Sequence, residues 1–85
     1  MSSYRVEFTT AAAKEIRKLD AGIRRRILAR IADLERDPHP AGCKKLVGED
    51  NAWRIRIGDY RVLYDVVDDS LVVTVVRVTH RRDVE

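Results

Sequence analysis

Arg54, Arg56, Arg61, Arg77, Arg81 and Arg82, with His80 among them, are the residues of this chain best suited to chemistry. A guanidinium stays protonated at neutral pH, and its planar fork grips a phosphate or carboxylate through two hydrogen bonds. Such groups offset negative charge but do not remove protons. His80 is the good titrating candidate beside them. Metal-free cleavage of RNA divides its labour in this way: a base for the 2′-hydroxyl, cations for the charge growing on phosphate, and an acid for the leaving oxygen. The same arginines could instead splay into water or pair with carboxylates such as Asp65, and His80 could simply end a strand. Lys44 and Lys45 are further candidates to reach a phosphate, or ordinary surface lysines. No Gly-rich phosphate loop, Cys/His metal pattern or Ser-His-Asp set occurs, so neither a metal nor a cofactor is expected.

The elements that must hold these side chains are strands. Trp53, Ile55 and Ile57 alternate with Arg54 and Arg56, which buries one face and presents arginines on the other. Gly58-Asp59 suits a two-residue type II′ turn, and that loop length sets Ile57 opposite Tyr60, Arg56 opposite Arg61 and Ile55 opposite Val62. Like charges facing each other across a sheet are destabilising, by roughly 0.2–1 kcal/mol, so an anion belongs between them. Leu71 to Val78 is almost continuously apolar and reads as a central strand. Its register depends on the Asp68-Asp69 loop. One residue of slip decides whether Arg77 or His80 joins the Arg56 and Arg61 face.

Upstream, Tyr4, Val6 and Phe8 alternate with Arg5 and Glu7 in a short opening strand, and Thr9 or Thr10 can cap the helix that follows. Ala12, Ile16 and Leu19 make that helix's apolar stripe. Asp20 opens a second helix with Ile23, Ile27, Ile31 and Leu34 at helical spacing, ending before Pro38-His39-Pro40. Arg24, Arg25, Arg26 and Arg30 form its solvated side, and His39 has a structural place between the prolines. The stretch from Lys44 to Asn51 leads into the next strand as a loop or irregular edge. The expected fold is α+β, with a short N-terminal strand and a two-helix hairpin packed on a mostly antiparallel four-stranded sheet, one domain over residues 1–85.

Composition is consistent with that build. The 85 residues carry 17 Lys and Arg, 13 of them arginine, against 14 Asp and Glu, for a net charge of +3 and a pI near 9.4. A polyanion is a natural class of partner for such a balance. Cys43 is the single cysteine, so no internal disulfide can form and a reducing cytoplasm fits. No apolar run approaches the roughly 20 residues of a membrane span, and the opening residues have no signal-peptide core.

The KKLVG stretch, the block WRIRIGDYRVLYDV and the terminal VTVVRVTHRRDV resemble the RelE-type toxins of bacterial and archaeal toxin-antitoxin pairs, within the wider RelE/ParE superfamily. The resemblance spans nearly the whole chain. It implies a ribosome-dependent endoribonuclease that cuts messenger RNA in the ribosomal A site with the transcript's own 2′-hydroxyl and no metal. It puts the family's strand cations on Arg54 and Arg56, the hairpin arginine on Arg61, the terminal-strand arginine on Arg81, and a histidine on His80. Arg56, Arg61, Arg81 and His80 are then the expected catalytic set, and Arg54, Lys44, Lys45, Arg77 and Arg82 the RNA-binding set. A cognate antitoxin and the 70S-type ribosome are the implied partners. The family pattern ends in a tyrosine where this chain has Glu85. Two other readings therefore stand beside the nuclease: a ParE-like inhibitor of DNA gyrase acting by protein contacts, and a catalytically impaired antitoxin-binding member.

Overall fold

The computed structural model describes residues 3–80 and 82. In chain order they form β1 (Arg5–Phe8), α1 (Thr10–Arg17), α2 (Ala21–Asp33), β2 (Lys44–Lys45), β3 (Ala52–Ile57), β4 (Tyr60–Val67) and β5 (Val72–His80). The strands make one sheet in the order β1-β5-β4-β3-β2. β1 runs parallel to β5, and the other neighbours are antiparallel. A parallel pair needs a long crossover, and here it carries both helices. The expected α+β class is the one observed, with a five-stranded sheet in place of four. The added strand is Lys44–Lys45, which pairs Lys44 with Arg54 and Lys45 with Trp53 where a loop or irregular edge was expected.

Local sequence explains each helix. Thr9 caps α1, its Oγ1 accepting from the Ala12 N–H at 3.1 Å while donating to the Val76 carbonyl at 2.8 Å. One hydroxyl thus starts the helix and ties it to β5. Asp20 occupies the N-cap position of α2, but its side chain makes no capping bond. Instead the Asp20 carbonyl accepts from the Arg24 N–H at 2.8 Å. The helical stripes land where their spacing puts them, with Ala12, Ile16, Ile27, Ile31 and Leu34 buried against one side of the sheet. No helix among the described residues is long and apolar enough to cross a membrane.

The sheet contributes Ile55, Ile57, Val62, Tyr64, Val66, Val73, Val75 and Val78 to the same core. Tyr64 is 1% exposed, and its hydroxyl donates to the Pro38 carbonyl at 2.8 Å. Burial first, then the neighbouring Cys43 and Asp37, push its phenol well above the ordinary value. The tyrosine therefore stays neutral and pins the segment after α2 onto β4. His39 sets its ring edge-on to Trp53, with centroids 4.4 Å apart.

Two backbone features fix which side chains face outward. Gly58 takes φ 60 while Asp59 does not enter the positive range, the signature of a type II′ turn, and the ladder reads Ile57↔Tyr60, Arg56↔Arg61 and Ile55↔Val62. Farther on, β4 and β5 shift register at Leu63/Tyr64: Leu63 pairs with Arg77 but Tyr64 with Val75, leaving Val76 as an extra residue. This β-bulge resets the alternation of β5. Val73 and Val75 before it, and Val78 after it, all reach the core. Arg77 and Thr79 turn to the open side.

Candidate nucleic-acid interface

The face of the sheet away from the helices is where the basic side chains gather. Cross-strand pairing puts Arg56, Arg61 and Thr79 in one row over β3, β4 and β5. The adjacent row is Lys44, Arg54, Leu63 and Arg77 over β2 to β5. Residues directly opposite share a face and lie within about 5.5 Å at Cα, so the two rows form a compact patch. Arg56 and Lys44 are exposed, and Arg54 and Arg61 are half-buried.

Most of the charge in this patch has no carboxylate partner among the described residues. Among the described residues the ion pairs are Arg5–Glu7, Arg36–Asp33 and Arg77–Glu15, and none involves Lys44, Arg54, Arg56 or Arg61. The Nε of Arg61 and the Oγ1 of Thr79 are shielded from solvent and have no hydrogen-bond partner among the described residues, although they sit on paired residues. Buried polar atoms are normally satisfied, so a donor and a hydroxyl left open side by side favour an anionic, oxygen-rich ligand there. Thr79 was not among the expected site residues. Its position follows from the bulge at Val76, which the nearly continuous apolar run before Arg77 does not announce.

Arg77 lies in the second row but is held. Its Nε donates to Glu15 Oε2 at 2.9 Å, and Nη2 approaches the same oxygen at 2.7 Å. Glu15 Oε1 accepts from the Val78 N–H at 2.7 Å, so the carboxylate also covers the edge of β5 beyond the end of β1. Burial alone would raise the Glu15 carboxyl, but the Arg77 guanidinium and the Val78 N–H outweigh it and hold the group below its ordinary 4.5. A depressed carboxyl contributes stability that is present above its unfolded value and lost as pH falls through the folded one. Glu15→Gln should therefore lower the melting temperature at neutral pH, with the gap to wild type closing as the pH is taken well below 4.5. Thermal melts between neutral and acid pH measure it, and a gap independent of pH would assign the effect to packing.

Other candidates separate from the patch. His80 pairs with Tyr60, and their rings meet edge-on with centroids 5.0 Å apart. Tyr60 in turn pairs with Ile57, so alternation puts His80 on the helix side, and the hollow it lines with Leu19 and Lys18 also takes in Arg77 and Thr79 where β5 ends. Its Nδ1 accepts from the Arg82 N–H at 3.1 Å, which leaves Nε2 to carry the proton of the neutral ring. Lys45 pairs with Trp53 and alternates away from Lys44. Arg82 is exposed. Arg81 and Glu85 lie outside the described residues.

A small α+β domain with one sheet face under helices and the other carrying unpaired guanidiniums is the class that this fold and patch define. The family described as ParE toxin of type II toxin-antitoxin system, parDE, matches residues 6–85. Toxin RelG of Mycobacterium tuberculosis is 37% identical, with 95% of this chain and 94% of that protein aligned. The mRNA interferase toxin RelE of Escherichia coli is 30% identical, over 93% of this chain and 84% of its own length. Among solved structures, the toxin-antitoxin complex RelBE2 from Mycobacterium tuberculosis contains a chain that superposes with a TM-score of 0.82 at 34% identity, covering 93% of this chain and 99% of that one. The chain therefore belongs to the RelE/ParE family of toxins from type II toxin-antitoxin systems, as a RelE-type member.

Proposed function

We propose that this toxin is a ribosome-dependent endoribonuclease that cuts messenger RNA without a metal, its Arg56–Arg61 pair holding the scissile phosphate. The observation that carries the reading is the uncompensated pair itself: two guanidiniums directly opposite on adjacent strands, with no carboxylate partner among the described residues. In the reaction the 2′-oxygen attacks phosphorus, the bond to the 5′-oxygen breaks, and a 2′,3′-cyclic phosphate and a 5′-hydroxyl result. Charge builds on the nonbridging oxygens, where Arg56 and Arg61 act as fixed donors. Arg54 and Lys44 bind the flanking backbone, and Thr79 offers its hydroxyl beside Arg61.

Neither histidine lies on this face, so the described part of the patch supplies charge and position more than proton transfer. That division suits an enzyme whose substrate is held and oriented by a second body, the ribosome, and the name mRNA interferase borne by the relative from Escherichia coli points the same way. His80 would act only through Nε2 and only on a group reaching round the strand end. A cognate antitoxin is the second partner, in keeping with the complex in which the similar Mycobacterium tuberculosis chain was solved. The setting of both partners is the cytoplasm.

The ParE description of the matching family supports one other reading, inhibition of DNA gyrase through protein contacts. Primer extension on translating ribosomes separates the two. Cuts at defined codons support the nuclease. Intact messages together with inhibited supercoiling by gyrase overturn it.

A further inference from the structure

The open face of the sheet holds a second feature next to the arginine rows. A hollow of about 320 Å³ is walled by Leu46, Ala52, Leu63 and Val76, with the carboxylates of Glu49 and Asp65 on its lining. Ala52 and Asp65 pair across β3 and β4, and Thr74 continues that row on β5, so the hollow occupies the same face as the cations. Neither Glu49 nor Asp65 enters an ion pair among the described residues. Leu63 belongs to both features, as the cross-strand neighbour of Arg54 and Arg77 and as a wall of the hollow.

The charges divide the face. Phosphate is attracted to the rows of Arg56, Arg61, Arg54 and Lys44 and repelled by two free carboxylates beyond Leu63. What fits an apolar floor with acceptors on its lining is the other part of a nucleotide, the base. Arg61 and Asp65 are four residues apart on β4, about 13 Å at a strand rise of roughly 3.3 Å per residue, a reach suited to a phosphate and the base of a nearby nucleotide on one extended strand. Single-stranded RNA is read in this manner, through the Watson–Crick edges of unstacked bases.

We propose that this hollow receives a base of the RNA whose phosphate the arginines hold, and that Glu49 and Asp65 select amino-bearing bases, guanine above all, over uracil. The proposal rests on the nuclease reading of the neighbouring patch. Guanine presents N1–H and N2–H side by side, a donor pair that one carboxylate accepts through both oxygens. Uracil offers a single N3–H between two carbonyls, and those carbonyls would face the carboxylates without a proton between them. The leucines, Ala52 and Val76 pack against the flat face of either base, so they supply affinity without choice.

The test is primer extension on translating ribosomes with messages that differ only in the bases flanking the cut. Wild type should cut a guanine-bearing message about 10-fold or more faster than its uracil counterpart, the scale of one good bidentate base contact. Asp65→Asn and Glu49→Gln, which keep the shape of the hollow, should narrow that ratio, and the double variant should bring it close to one. An unchanged ratio in all three overturns the base site while leaving the nuclease reading in place. So does an equal gain for every message, which marks relief of repulsion alone. If wild type cuts nothing, the nuclease reading fails and binding decides the site separately. Fluorescence titration of the whole protein with a short uracil RNA containing one guanine, against the all-uracil strand, should then show tighter binding of the first that Asp65→Asn removes. Equal binding of the two strands overturns the proposal.

Discussion

Arg61→Ala should keep the fold and lose about 100-fold or more of message cleavage, the loss that follows removal of one preorganised donor from a transition-state oxyanion. The side chain contributes nothing to the core: its neighbours Val62 and Tyr64 are the buried ones, and Arg61 points to the open face. Its Nε has no hydrogen-bond partner to lose among the described residues. Removing it also relieves the repulsion from Arg56 directly opposite, a like-charge pair of the kind worth roughly 0.2–1 kcal/mol. For a domain of this size about 1 kcal/mol moves the melting temperature by roughly 4–8 °C, so the variant should melt at or a few degrees above wild type. Arg56→Ala should behave alike, and the double variant should lose much less than the product of the two, because both guanidiniums act on one phosphate. Circular dichroism melts and primer extension on ribosomes give both readings from one preparation. A large drop in melting temperature would make the pair structural, and undiminished cleavage would move the chemistry to another part of the molecule.

The hairpin that presents this pair was legible because every local signal agreed. Alternation from Trp53 to Ile57, a glycine able to take positive φ at Gly58, and a two-residue loop leave one register open to the chain. The helices were legible for the same reason, with Ile27, Ile31 and Leu34 falling on one stripe. β2 was not. Two lysines carry no β signal of their own, and they become a strand only because the chain after Gly42, which takes φ 91, is laid along the free edge of β3.

The last strand shows where periodicity runs out. In VVTVVRVTH nearly every position is apolar up to Arg77, so alternation cannot mark the face, and one bulged residue reverses the reading of everything after it. Arg77 and Thr79 thereby join the arginine side, and His80 goes to the helix side with Tyr60. Arg77 was a sound candidate by charge and position. What the sequence did not reveal is that Glu15, far away in the chain, reaches across from α1 to hold it. The carboxylates near the patch were likewise invisible as a group, since Glu49 and Asp65 meet only when β3 and β4 close beside the loop after β2.

Ile55→Ala should give the opposite signature from Arg61→Ala. Ile55 is 1% exposed and lies between Arg54 and Arg56, with its side chain among the helices and theirs on the open face. Truncating a buried isoleucine costs about 2–5 kcal/mol. A domain of this length has a total stability of only roughly 4–13 kcal/mol. The melting temperature should therefore fall by about 10 °C or more. The positions of Arg54, Arg56 and Arg61 are set by the backbone ladder and the turn at Gly58, and the substitution touches neither. Below its lowered midpoint the variant should still cleave messages at close to the wild-type rate per folded molecule, and above it cleavage should vanish together with the circular dichroism signal. One residue along the same strand thus separates two quantities that a toxicity assay alone confounds. If Ile55→Ala loses cleavage while still folded, the arginines depend on core packing for their aim, and the rigid-sheet account of the patch fails.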